Sequence, residues 1–339
     1  MRTEKPRLVI YGTGRHGQET ALLAAELGWR IAAACNRAGP KIGQDLGLLA
    51  GREKPLGVPI ADCDALDFST IQADLAIVAM TDRLEHNMLA YERLLSAGIN
   101  VICHGSESYF PQGTNPDAAA RIDALAKAGG VTFTGTGVWD HSRIWAGILA
   151  AGPCKSITRL VHKSRTLIHI HPYIDLVGIG LSQSDFKAQI TDKPGPLGGL
   201  YRTIPNIVMH ALGFTITQVT ERREPVLYDR PIYCLGLDRD IPPGECAGTR
   251  IIAEIESKEG VSARAEIELR LFEEGEVDNM QWHIEGDPHS DVLMTRHDSL
   301  RTSSMCMIGR VHDVIAAPPG IQLITQLGPL KAFAGGTAL

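Results

Sequence analysis

The chain is predicted to be an α/β protein, a doubly wound parallel sheet joined to an α+β region whose sheet is mainly antiparallel. Three observations carry this expectation. Short apolar runs alternate with helix-patterned segments up to about Asp140, a glycine-rich turn joins the first run to its helix, and long segments of period-two alternation follow.

The first unit begins with RLVIYG, a strand-like run, and continues into ETALLAAELG, which has helical spacing and stops on Gly28. RIAAACN (30–36), a Gly/Pro-rich stretch, ADLAIVAMT (73–81), the helix-like EHNMLAYERLLSAG and the buried-strand run NVICHG (100–105) come next. Asn115 caps and Pro116 opens a helix through Lys127, and VTFTGTG is the following strand. Alternating βα units of this length build a parallel, doubly wound sheet. Beyond Asp140 a short helix, HSRIWAGILAAG, precedes the alternating segments KSITRLVHKSRTLIHI, TRIIAEIES and ARAEIELRLFE, the last two separated by a turn at Lys258, Glu259 and Gly260. These predict antiparallel strands with one face covered and one available to a partner subunit. The last segment, SSMCMIGRVHDVIAAPPG, predicts a helix stopped by Pro318 and Pro319 that returns to the first unit. The expected domains are a dinucleotide-binding domain over residues 1–138 and about 302–339, and a substrate-binding and dimerisation domain over 139–301.

Composition narrows the function. The 339 residues carry a formal net charge of −6 with no block of Lys or Arg, which argues against nucleic-acid and anionic-membrane partners. No apolar run approaches membrane-spanning length, and the start, MRTEKPRLVIYG, lacks a secretory h-region, so a cytoplasmic location is expected. Cys35, Cys63, Cys103, Cys154, Cys234, Cys246 and Cys306 are scattered and never spaced C-x-x-C, which suggests neither a disulfide framework nor a thiolate metal site.

Gly12, Gly14 and Gly17 form G-T-G-R-H-G between the first predicted strand and the first predicted helix, the context a dinucleotide fingerprint requires. Gly12 permits the tight turn, Gly14 lets backbone approach a pyrophosphate, and Gly17 allows close helix packing. Thr13, Arg15 and His16 complete the loop. The second strand ends at Asn36 and Arg37, where an NAD-strict protein would place an acid. Asn36 can bond a ribose hydroxyl and Arg37 a 2'-phosphate, so the expected cofactor is NADP, with NAD also accepted. Ala79, Met80 and Thr81, at the end of the next strand, are expected beside the nicotinamide ribose, and His104 is placed with them. Thr81 could equally cap the following helix.

Residues 100–111, NVICHGSESYFP, show a strand ending in a carboxylate followed by an aromatic and Pro. This segment, with GTGVWDHSR (135–143) and VHDVIAAPPG (311–320), resembles 2,4-diaminopentanoate dehydrogenase and the related native amine dehydrogenases. The resemblance implies the fold of dihydrodipicolinate reductase and a reversible NAD(P)-linked conversion of an amine to a ketone or aldehyde plus ammonia. It places Glu107 as the catalytic glutamate. Where the diaminopentanoate enzymes would have two adjacent acids, this chain has Ser106 and Glu107, which suits a simpler amine. Chemistry independently asks for one carboxylate, because the species that accepts hydride is a cationic iminium that an anion stabilises.

Phe110, Trp145 and Tyr173, with a pocket role also open to His171, are expected to wall a small apolar substrate pocket, while Trp139 suits core and pocket equally. A substrate carboxylate would need a buried cation, and Arg143 and Arg165 do not stand out from structural arginines, so a simple ketone or aldehyde is favoured. His169 and His171 alternate on a predicted strand and would share a face, yet no third ligand accompanies them and no metal is expected. The competing readings are a dihydrodipicolinate reductase-like or amino-acid dehydrogenase and, in a different class, a nicotinamide-sensing protein without turnover. The partners expected are a small carbonyl or amine, ammonia, and a second copy of the chain in a homodimer.

Overall fold

The computed structural model of the protein describes residues 5–332 except 194 and 196. The chain divides into two compact units, one running to His141 and resuming at Asp298, the other spanning Ser142–His297. In chain order the first unit holds β1 (Arg7–Tyr11), β2 (Arg30–Asn36), β3 (Ile60–Asp62), β4 (Leu75–Val78), β5 (Asn100–Cys103) and β6 (Thr132–Gly135). The second holds β7 (Ser156–Leu167), β8 (Ile216–Val226), β9 (Ile232–Cys234), β10 (Arg239–Ile241), β11 (Gly248–Ser257), β12 (Ser262–Arg270), β13 (Asp278–Asp287) and β14 (Ser290–Arg296). A last short strand, β15 (Gly320–Ile321), belongs to the first unit.

The first unit is a parallel sheet in the order β15-β6-β5-β4-β1-β2-β3, which is the doubly wound order with its switch between β1 and β4. Its strands are short and apolar because both faces are covered. Leu8, Ile10, Ile77 and Ile102 pack with Ala21 and Ala24 of the helix Arg15–Glu26 and with Met307 and Val311 of the helix Ser299–Ala316. That last helix ends at Ala316, ahead of the two prolines, and packs in the first unit as its sequence predicts. Asn115 caps the helix Pro116–Ala128 through a bond from Ala118 N–H at 3.1 Å.

The second unit is a sheet in the order β14-β13-β7-β12-β11-β8, antiparallel except where β7 and β12 run together. The expected hairpin joins β11 and β12, with Ile251 opposite Ile267 and Glu254 opposite Arg264. Ala265, Ile267 and Leu269 point into a core with Ile174, Val177 and Ile251. The alternating positions Arg264, Glu266 and Glu268 join ion pairs with Glu254 and Arg250 on the other face.

One expectation is corrected here. The segment KSITRLVHKSRTLIHI is strand only to Leu167, so His169 and His171 do not share a strand face. The ladder stops because both neighbours stop: Arg270, the last residue of β12, pairs with Leu167, and on the other side pairing begins at Asn279 opposite Arg165. Beyond them, His171 Nδ1 lies 3.3 Å from Asp175 across a short helical turn, Tyr173–Leu176. The segment after Asp140 is also more irregular than a plain helix, with a π-helical turn, Asp140–Trp145, leading into the helix Ala146–Ala151. Among the described residues no helix is long and apolar enough to cross a membrane.

Candidate active site

The glycine loop has the shape its sequence requires. Gly12 has φ +101°, and a Cβ there would meet the Ala79 carbonyl oxygen, while one on Gly17 would collide with the Gly12 carbonyl. Both positions are therefore closed to a side chain. Gly14 is the opposite case, with nothing within 4 Å of where its Cβ would stand. It heads the helix Arg15–Glu26 with no side-chain cap among the described residues, so that no side chain there takes the first-turn N–H groups. Beside them the Thr13 hydroxyl and His16 Nδ1 are buried without a hydrogen-bond partner among the described residues. An uncapped helix start, an open glycine and orphaned polar atoms fit a dinucleotide pyrophosphate.

Asn36, half-buried, ends β2, and exposed Arg37 follows it. Sequence reasoning missed Lys41, which folds back so that its ammonium donates to the Thr13 carbonyl oxygen at 2.8 Å. The only cue was a cation in the Gly/Pro-rich stretch just past Arg37. On the other side of the loop, Ala79 N–H donates to the Tyr11 carbonyl at 2.9 Å, and Met80 touches the Gly12 turn. Thr81 is not a helix cap: the helix Leu84–Ser96 starts after Arg83, and buried Asn87 clamps Thr81 instead. Asn87 accepts from the Thr81 hydroxyl at 3.0 Å and donates to its carbonyl at 2.8 Å.

His104 follows β5, and its ring packs on His16 with centroids 3.8 Å apart. Burial, then the neighbouring His104 and Arg15, pushes His16 down to about 3, and burial pushes His104 down to about 4. Burial thus keeps both rings neutral at neutral pH.

Glu107 lies in a 3-10 turn, Ser106–Tyr109, immediately after β5 and is 7% exposed. Its Oε1 accepts from Arg83 Nη1 at 2.7 Å and its Oε2 from the Leu84 N–H at 2.9 Å. Asp82 ties the same two loops together, its carboxylate accepting from Ser106 N–H at 3.0 Å and its carbonyl from Glu107 N–H at 3.1 Å. Sequence reading named Glu107 but neither Asp82 nor Arg83, because a pairing across 24 residues leaves no periodic trace.

The structure thus brings Gly12 to Gly17, Ala79 to Thr81, His104 and Glu107 to the carboxyl ends of β1, β4 and β5. Phe110, expected in the substrate wall, is 6% exposed with its ring against Gly113. Trp139 is likewise buried, its ring tilted against Tyr109 with centroids 5.2 Å apart. Trp145, His171 and Tyr173 belong to the second unit. There Trp145 is half-buried with its indole N–H unpartnered among the described residues, Tyr173 is exposed, and His171 pairs with Asp175.

No protein-family model matches the chain. Among solved structures, an amine dehydrogenase from Mycobacterium smegmatis is 27% identical, covers 99% of both chains and superposes with a TM-score of 0.86. The chain resembles the amine dehydrogenases. Among curated proteins, the 2,4-diaminopentanoate dehydrogenase of Acetoanaerobium sticklandii is 25% identical over 256 residues, 70% of this chain and 69% of that protein. GenD2 from gentamicin A biosynthesis, solved in complex with NAD, is 14% identical with a TM-score of 0.59 and covers 93% of this chain and 88% of its own, a likeness of fold. With the fingerprint loop in this geometry, the chain is an NAD(P)-dependent oxidoreductase.

Proposed function

We propose that this protein is an amine dehydrogenase that interconverts small aliphatic ketones or aldehydes, with ammonia, and the corresponding amines, using NADP in preference to NAD. The observation that carries the reading is the whole-length likeness to the M. smegmatis amine dehydrogenase. Glu107 supports it, as a buried carboxylate anchored to the loop that follows β4.

The bound nicotinamide supplies or accepts the hydride. The protein's part is to hold the carbonyl substrate and ammonia together and to stabilise the iminium formed from them. Glu107 provides the fixed negative charge, which acts most strongly where water is excluded. Its carboxylate also serves the proton movements of carbinolamine dehydration. Arg37 and Lys41 support NADP, since no acid follows β2 and two cations are available to a 2'-phosphate. Within the second unit, Trp145, Tyr173 and His171 are the candidate substrate-contacting residues, and the charged face of its sheet joins two copies of the chain in a cytoplasmic homodimer.

An assay of ammonia-dependent NADPH oxidation across small ketones, aldehydes and keto acids tests the reading. Turnover with ketones or aldehydes and its loss in Glu107→Gln, with cofactor binding preserved, is the expected result. Activity confined to keto acids would favour an amino-acid dehydrogenase, the reading suggested by the diaminopentanoate relative. Cofactor binding without turnover on any carbonyl would make the chain a nicotinamide sensor.

A further inference from the structure

We infer that Arg83 is the positioning residue for the Glu107 carboxylate, an inference that rests on Glu107 being the anion that meets the iminium. A glutamate side chain has three rotatable bonds, and a carboxylate that is almost wholly buried has little water to hold it in one direction. The loop after β4 supplies that direction. Thr81 is fixed by Asn87, Asp82 grips Ser106 and the Glu107 backbone, and the next residue, Arg83, stands just before the helix Leu84–Ser96. From there its guanidinium takes Oε1 at 2.7 Å while the helix's first N–H takes Oε2 at 2.9 Å.

Among the described residues each oxygen accepts one hydrogen bond, and each carboxylate oxygen has a second lone pair for ammonia or the iminium N–H. The pairing therefore orients the carboxylate without saturating it. Its cost is a cation near the site, which opposes the iminium charge. Its gain is that the anion is already aligned when the iminium forms, so no reorganisation is needed at that moment. The geometry favours the gain, because Arg83 engages one oxygen and leaves the other to a neutral amide.

The test compares Arg83→Ala, Arg83→Lys and Arg83→Gln with Glu107→Gln in the full chain, measuring kcat and KM for ammonia and carbonyl, NADPH binding by fluorescence, and thermal melting. Arg83→Ala is expected to lower kcat by about tenfold to a hundredfold, the scale of a misaligned catalytic group, with NADPH binding little changed. Arg83→Lys, or guanidinium ion added to Arg83→Ala, should restore part of the loss, which a merely structural role would not allow. Retention of kcat within about twofold in Arg83→Ala overturns the inference, as does a loss that neither lysine nor guanidinium relieves. If Arg83→Ala does not fold, the Lys and Gln variants decide, with equal activities overturning the inference. Full turnover in Glu107→Gln would instead remove the reading of Glu107 itself, whatever Arg83 does.

Discussion

Arg310 and Asp140 meet through two hydrogen bonds of 2.8 Å, and neither side chain reaches solvent. Thr136 adds a bond to Asp140 at 2.7 Å, and Asp313 accepts from another Arg310 nitrogen at 3.1 Å. The pair ties the loop after β6 to the helix Ser299–Ala316, and so joins the segments GTGVWDHSR and VHDVIAAPPG, which lie far apart in the sequence.

Breaking this pair should be expensive, because the partner left behind is a buried, uncompensated charge. Arg310→Ala or Asp140→Ala is expected to lose about 3–5 kcal/mol, whereas replacing both residues with apolar side chains of similar size should recover much of it. Urea denaturation of the single and double variants measures this. A single-variant loss below about 1 kcal/mol would mean that the pair does not hold the first unit together.

Gly17→Ala should damage the fingerprint loop from inside. The added methyl runs into the Gly12 carbonyl, a backbone atom that cannot step aside. The expected cost is about 1–3 kcal/mol of stability together with weaker dinucleotide binding. Unchanged melting and unchanged NADPH affinity would show that the loop relaxes freely.

Cofactor choice should respond to two cations. Arg37→Ala and Lys41→Ala are each expected to weaken NADPH by about tenfold, the scale of one charge-assisted hydrogen bond, and to affect NADH less. Calorimetric titration with both cofactors reads this directly. Equal losses for both in Lys41→Ala would confine Lys41 to bracing the Thr13 carbonyl.

The packed pair His16 and His104 predicts an acid-side loss of stability. With His16 held down to about 3 and His104 to about 4 against an ordinary value of 6.5, the unfolded chain binds protons that the folded chain refuses as pH falls below 6.5. Stability from these groups is therefore complete above that value and is lost progressively toward pH 4 and below. Replacing His104 with Asn should make the decline between pH 6.5 and 4 shallower in denaturant melts. An identical pH slope in the variant would assign the decline to other groups.

Trp145→Ala is expected to admit longer or branched carbonyl substrates, since removing the indole enlarges whatever space it bounds. A substrate profile identical to that of the unaltered protein, with a loss of about 3–5 kcal/mol in stability, would make Trp145 a packing residue.

Much of the first unit was legible in the sequence because its information is local. Apolar runs four or five residues long, a helix with regular spacing and three glycines at fixed offsets specify β1, the turn and the helix Arg15–Glu26 without reference to distant residues. The extent of β7 was not legible. His169 and His171 continue its alternation, yet a strand lasts only as long as its neighbours pair with it, and β12 and β13 end the ladder at Leu167 and Arg165. Phe110 reads as an aromatic of a substrate wall, and the fold adds that its ring lies against Gly113 and is largely buried.

By itself the sequence determined that a dinucleotide fingerprint opens a doubly wound sheet, that a charged and apolar alternating sheet follows, and that Glu107 stands at the end of β5. Tertiary structure alone decided what surrounds those residues. It set Lys41 against the loop at Thr13, closed Arg310 on Asp140, and gave Glu107 a guanidinium and a helix N–H as partners. The physical reason is that glycine conformation and apolar periodicity act within a few residues, whereas ion pairs and hydrogen bonds form between any groups the fold brings within about 3 Å.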